Sequence, residues 1–176
     1  MSETEKDKYQ LRYEAHQARK AKVLEEIMKE RHSDRVFEKT EVDRNKIDKM
    51  FEAIDLCPSS CSRKAIYTIL VVERDEKELL GGVLIGGIGW INRAPAIMLI
   101  FADPVAYKAG KEIEFMPFLD AGVVVEQLYL VAATLGLKCC FCNPNIRDMN
   151  KKHFAEVFGD GIFCGAFAFG NPKETK

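Results

Sequence analysis

The sequence predicts a domain of the α/β or α+β class in which a central sheet is flanked by helices. Four short apolar runs have strand character, and the stretches before and between them have helical composition or helical spacing of apolar residues. A length of 176 residues fits one domain, and a composition 47% hydrophobic and 30% charged can both fill a core and solvate its surface. Disordered, collagen-like and fibrous classes are thereby excluded. With 26 Lys+Arg against 27 Asp+Glu the formal charge is -1, whereas a domain built on phosphate backbones advertises a basic excess, so no nucleic-acid partner is expected.

Residues 9–30 contain neither Pro nor Gly and are dominated by Lys, Glu, Ala, Arg and Gln, which predicts a helix. Only Leu24, Ile27 and Met28 cluster at helical spacing near its end, so its early turns are exposed or lie against a partner chain. Residues 1–30 are read as an N-terminal helical extension and 31–176 as a single domain. After a break at RHSDRVFEKTEV, Asp43 is placed to cap a second helix in which Ile47, Met50, Phe51 and Ile54 recur at i, i+3, i+4 and i+7. Pro58 and the Ser-rich PSSCS end it. AIYTILVVE (65–73) and PAIMLIFAD (95–103) are apolar and β-branched enough for buried strands. The glycine-rich ELLGGVLIGGIGWINR between them is expected to be a loop with one short helical turn. Residues 118–136, apolar almost all round, predict a helix buried centrally or at a subunit interface. KCCFC follows as a strand. A helix over 145–158 carries Ile146, Met149, Phe154, Val157 and Phe158 on one side, and IFCGAFAFG (162–170) makes the last strand.

No apolar run approaches the roughly 20 residues of a membrane span, and the first thirty residues have no apolar stretch of the signal-peptide kind. Cys57, Cys61, Cys139, Cys140, Cys142 and Cys164 are too few for a disulfide scaffold in this length and are read as reduced thiols of a cytoplasmic protein with no membrane partner. Cys57-x-x-x-Cys61 and Cys139-Cys140-x-Cys142 lack the usual metal-pair spacing, so no metal is expected. Gly86-Gly87-x-Gly89 falls short of a dinucleotide fingerprint, because Asn92 stands where the third glycine belongs. His16 and His153 lie among charged residues without a triad pattern. Asp120 and Glu126 sit in the apolar helix, where a carboxylate must be paired; helix capping is the reading for Asp120, an inter-subunit bond for Glu126.

Two clusters carry candidate chemistry. In Arg31-His32-Ser33-Asp34-Arg35, extended alternation puts Arg31, Ser33 and Arg35 on one side, two cations around a hydroxyl, which suits a phosphate or a developing anion. The plainer alternative is a helix end with cations near its carbonyls. Pro58-Ser59-Ser60-Cys61-Ser62-Arg63-Lys64 offers hydroxyls and backbone N–H groups to a polar ligand edge, or else is a simple turn before a strand.

Taken in order, RHSDR, an amphipathic helix ending in CPSSCSRK, GWINRAPAIMLIFAD and LDAGVVVEQLYLVAATLGL resemble the FMN-dependent nitroreductase family over about residues 31–170. The resemblance implies an α/β sandwich with a mixed central sheet, forming an intertwined homodimer with FMN at the interface. It implies that Arg31 and Ser33 hold the FMN phosphate and ribityl chain, with His32 beside them and Arg35 at the N1 and C2 carbonyl edge. Pro58, Ser59, Ser60 and Ser62 come from the other subunit to the ring, and the turn at Phe141, Cys142 and Asn143 approaches flavin N5. The implied activity is an oxidoreductase passing electrons from NAD(P)H to a small acceptor such as a nitroaromatic or quinone, ping-pong through the flavin. No side chain is then a nucleophile; N5 carries the chemistry and Arg35 is an electrostatic stabiliser. A flavin-binding relative without turnover, and a flavin enzyme of the same fold with other chemistry (reductive dehalogenation, flavin cleavage, dehydrogenation), are the alternatives. The chain departs from the family's pattern at Ser62, where the family commonly has Asn, at Lys64-Ala65 in place of Gln-Pro, and at Pro144, which has no N–H to donate. Many members continue past the last strand to a Lys or Arg that also touches the phosphate, whereas this sequence has GNPKETK there; Lys173 is the available substitute and is read first as part of a solvated tail.

Overall fold

The run IYTILV pairs with AIMLIFA, and this pairing begins the sheet. In the computed structural model, which describes residues 3–108 and 110–173, β1 (Ile66–Val71) and β2 (Ala96–Ala102) are antiparallel. The sheet is completed by β3 (Lys138–Cys142) and β4 (Ile162–Gly170) in the order β1-β2-β4-β3. All three ladders are antiparallel, and the parallel element of the expected mixed sheet is confined to the bridge between Ser33 and Cys139. β2 is buried at every position, as its unbroken apolar run requires.

The described residues fall into two units divided between Arg31 and His32. The first is the helix α1 (Glu3–Glu30), which leaves Tyr9, Leu11, Tyr13, Val23, Leu24 and Met28 exposed, consistent with its thin apolar face. The second is a three-layer sandwich. Alternation along the strands divides its core in two. Met98, Ile100, Phe167 and Phe169 face Met50 and Leu128 of the helices α2 (Arg44–Leu56) and α4 (Lys111–Thr134). Ile97, Leu99, Phe101, Ala166 and Ala168 face Leu80 of α3 (Arg74–Val83), Ile91, and Phe154 and Phe158 of α5 (Asp148–Phe158). α2 starts as expected, with the Asp43 carboxylate accepting the Asn45 N–H at 2.7 Å.

Four expectations are corrected. The glycine-rich segment is not mainly loop. Its first part is α3, with Gly81 and Gly82 in the last turn, followed by single 3-10 turns at Ile85–Gly87 and Ile91–Arg93. Burial of Leu80 and Val83 outweighs a glycine cost of about 1 kcal/mol each. α4 begins at Lys111 and runs through Pro117, so Asp120 lies inside the helix and is no cap. At 24 residues α4 is also long and apolar enough to cross a membrane by length and composition, contrary to the reading that no segment reaches that length; here one stripe of it packs on the sheet. On α5 only part of the expected face is buried, because Met149 is 83% exposed and Val157 44%.

Candidate functional site

The outer end of β3 gathers most of the first candidate cluster. Asp34 N–H donates to Cys139 O at 2.7 Å, and the Asp34 carboxylate meets the Lys138 ammonium at 3.0 Å, so the chain after α1 is pinned along the strand. The Ser33 hydroxyl lies 3.0 Å from the Tyr129 hydroxyl, which also accepts the Phe141 N–H at 2.8 Å. One phenol of α4 therefore ties Ser33 to Phe141. Burial pushes this phenol's pKa up, so it remains a neutral hydroxyl able to serve both partners. Tyr129 was not anticipated; it sits in the apolar helix as one polar tip among aliphatic neighbours, and that was its only signal.

Arg35 turns to the other layer. Its guanidinium carbon stands 5.4 Å from the Trp90 ring centroid, and the Trp90 indole N–H donates to Gly86 O at 2.7 Å. Cys142 is buried nearby, its thiol pushed up to about 11 by burial first and by Cys140 second, with the Arg35 charge pulling the other way. A Cβ on Gly86 would approach the Cys142 Sγ to 3.3 Å and the Asn143 Oδ1 to 3.6 Å. Ser33, through Tyr129, reaches Phe141 from the α4 side of β3, while Arg35, with Trp90 and Gly86, lies by Cys142 and Asn143 on the other side. Cys142 can offer only its backbone, since its side chain is buried. Asn143 is exposed and its side-chain oxygen accepts the Asn145 N–H at 3.3 Å.

The expected alternation of three side chains does not occur. Arg31 N–H still donates to Ile27 O at 3.0 Å, continuing the α1 pattern, and Ser33 and Arg35 contact residues of opposite layers. Only Ser33 is bridged to a strand there, and the next bridge is at Phe37 with Pro172, so the backbone between is not held in one pleat. His32 is exposed, and so is Lys173; residues 174–176 of the tail lie outside the described residues.

The second cluster is a constrained loop rather than a simple turn. Cys61, Ser62 and Lys64 all have positive φ, at 50, 56 and 52°, a region costly for residues other than glycine. Several bonds hold it. The Lys64 ammonium donates to Asp55 O at 2.7 Å and Cys57 O at 2.6 Å, closing the carbonyl end of α2. Ser59 Oγ accepts the Lys64 N–H at 2.9 Å, and the Asp120 carboxylate accepts the Ser60 N–H at 2.9 Å and the Tyr107 O–H at 2.9 Å. Arg63 pairs with Glu112 at 2.5 Å, which holds the Glu112 carboxyl below its usual range. The local departure at Lys64 therefore has a structural reason in this chain. Pro58 and Ser62 are exposed, and Ser59 and Ser60 half-buried.

Beside α4 and the end of β3 an open apolar hollow of about 230 Å³ is lined by Phe118, Ala121, Gly122, Val125, Phe141, Pro144 and Cys164. Gly165, at φ 133°, lets β4 pass here, because a Cβ would come within 2.4 Å of the Phe141 ring. The wall of the hollow is apolar, and Phe141 and Pro144 connect it to the turn that follows β3.

The fold is the nitroreductase fold, and residues 85–170 match the model of the Nitroreductase family. An FMN-dependent nitroreductase from Clostridium difficile R20291 superimposes with a TM-score of 0.70 at 25% identity, covering 85% of this chain and 88% of that one. A protein from Desulfovibrio desulfuricans solved in complex with FMN superimposes with a TM-score of 0.72 at 22% identity, covering 86% and 87%; this likeness concerns the fold alone. A curated FMN reductase [NAD(P)H] from Bacillus subtilis (strain 168) is 25% identical over 131 residues, 65% of this chain and 52% of the relative. The chain thus spans about half the length of that relative.

Proposed function

We propose that this chain is an FMN-dependent oxidoreductase that carries electrons from NAD(P)H to a small acceptor such as a nitroaromatic or quinone, and that it works as a cytoplasmic homodimer. The observation that carries the reading is that Ser33, through Tyr129, and Arg35, with Trp90, flank the Phe141–Cys142–Asn143 turn from the two sides of β3 in a nitroreductase fold. The residues suit FMN chemically. A cation held against an indole, a hydroxyl and an amide face a polar ring edge, Phe141 and Pro144 offer an apolar wall, and Gly86 leaves the space where a Cβ would crowd Cys142.

When bound, FMN supplies the two-electron chemistry and gains negative charge on its pyrimidine edge on reduction. Arg35 is assigned to that edge as a fixed cation, and Arg31 and Ser33 to the phosphate and ribityl chain, with His32 beside them. Pro58, Ser59, Ser60 and Ser62 are assigned to the ring of the partner's site. No protein nucleophile is required. The visible spectrum of the purified protein, followed by anaerobic addition of NADH and then NADPH, tests the reading. A flavin band that bleaches within a turnover time is expected; a protein without a flavin band even after FMN is supplied, or a band that reductant leaves unchanged, would overturn it.

A further inference from the structure

Asp120 is a carboxylate buried to 5% exposure in the middle of α4, and both of its oxygens are taken by groups from other segments. Oδ1 accepts from the Ser60 N–H and Oδ2 from the Tyr107 O–H. The Tyr107 ring in turn carries the Arg63 guanidinium 5.8 Å from its centroid, Arg63 pairs with Glu112, and Glu112 Oε2 accepts the Lys108 N–H at 2.9 Å. The loop is thereby fastened at two residues, Ser60 and Arg63, to α4 and to Tyr107 in the segment that leads into it. It needs fastening, because three of its non-glycine residues sit at positive φ, a conformation that persists only where the surroundings over-determine it. A buried carboxylate costs desolvation that an apolar side chain would avoid, and its two recorded partners are Ser60 and Tyr107, so the carboxylate serves the loop and Tyr107. Burial, and then the bond to Asp120, push the Tyr107 phenol well up, which keeps its proton in place as the donor.

We propose that Asp120 is a positioning residue: with Tyr107 it latches the 58–64 loop in the one conformation that presents Pro58, Ser59 and Ser60 to the flavin ring. The proposal rests on the flavin reading above. Two variants test it. D120N keeps the shape but replaces one acceptor oxygen with a donor, and Y107F removes a single hydroxyl.

Trypsin cleavage after Arg63 or Lys64 in the flavin-free full chain, followed by mass spectrometry, reads the latch without reference to flavin. Cleavage there should quicken about tenfold or more in both variants while thermal unfolding stays cooperative. Fluorescence titration with FMN and with riboflavin reads the consequence. Both dissociation constants should rise by about tenfold and by the same factor, since the loop is assigned to the ring and not to the phosphate. If D120N does not fold, Y107F carries both measurements. Folded variants cleaved at the wild-type rate overturn the latch. Rapid cleavage with unchanged flavin affinities overturns the link between loop and ring, and a shift for FMN but not riboflavin overturns its placement. A wild-type chain that binds no flavin overturns the underlying reading instead, and is recognised by the control titration.

Discussion

Arg35 and Arg31 are both arginines of one short motif, yet the structure places them differently, one over an indole and the other at the end of α1. Their removal should have separable effects. With Arg35 at the flavin edge as proposed, Arg35→Ala takes away a fixed cation where charge appears on reduction, so the reduced flavin should lose more than the oxidised one. The midpoint potential should fall by tens of millivolts, each ~30 mV corresponding to about 1.4 kcal/mol for a two-electron couple. Arg31→Ala should weaken FMN by roughly ten- to a hundredfold, leave riboflavin affinity alone, and leave the potential of the saturated protein nearly unchanged. Dye-equilibrated titration of both variants decides the matter, and equal shifts in potential would remove Arg35 from the ring edge. Cys142 gives a residue-scale prediction about pH. Its thiol rises from an ordinary 9.0 to about 11 in the fold, so below pH 9 folded and unfolded states both keep the proton. Between pH 9 and 11 only the unfolded state loses it, and stability should fall by on the order of 1 kcal/mol per pH unit before levelling off. Urea midpoints at pH 8, 9.5 and 10.5 should decline less steeply for Cys142→Ala than for wild type; parallel declines would contradict the assignment.

At the scale of elements, Tyr129 joins α4, β3 and the segment after α1 through one oxygen. Tyr129→Phe leaves the Phe141 N–H without its partner at a half-buried position, a loss of about 1 to 3 kcal/mol. Denaturant unfolding should show that loss at unchanged m-value, together with weaker FMN binding, because Ser33 and Phe141 are released together. A variant as stable as wild type would show that the phenol is not what holds the two segments. α3 shows how context overrides local preference. Two adjacent glycines argue against a helix, but Leu80, Val83 and Leu84 fill the space beneath the sheet only if the chain coils there.

At the scale of the whole molecule, α4 buries Asp120, Val124, Leu128 and Ala132 on one side and leaves Phe115, Phe118, Leu119 and Val123 exposed on the other. A row of large apolar side chains on an otherwise solvated surface is the pattern of an interface, and an obligate one of this kind buries more than ~2,000 Å². Light scattering at micromolar concentration should give a mass near twice the 19.9 kDa of the chain. A flavin-loaded particle of one chain mass would defeat the dimer and, with it, the assignment of Pro58, Ser59 and Ser60 to a neighbouring site. Replacing Phe118 and Val123 together with Asp should dissociate the particle while leaving the sheet core intact.

The elements that local pattern determines were legible without coordinates. Four apolar runs became the four strands, Asp43 capped its helix, and Ile47 and Met50 turned inward, because alternation, periodicity and a cap are written within a few neighbouring residues. The order of RHSDR, the Ser-rich loop and the glycine–Trp loop likewise pointed to the nitroreductase fold. What required the tertiary structure were pairings between distant positions. The seat of Arg35 over Trp90 spans 55 positions, Ser33 meets Tyr129 across 96, and Asp120 meets Ser60 across 60. Nothing in the local composition distinguishes Tyr129 or Tyr107 from any other tyrosine, and an acidic residue in an apolar run reads equally as a cap. Which carboxylate receives which N–H is settled only when the sheet and α4 fix the distance between them, since hydrogen bonds reward geometry within a few tenths of an ångström and sequence spacing carries no such measure.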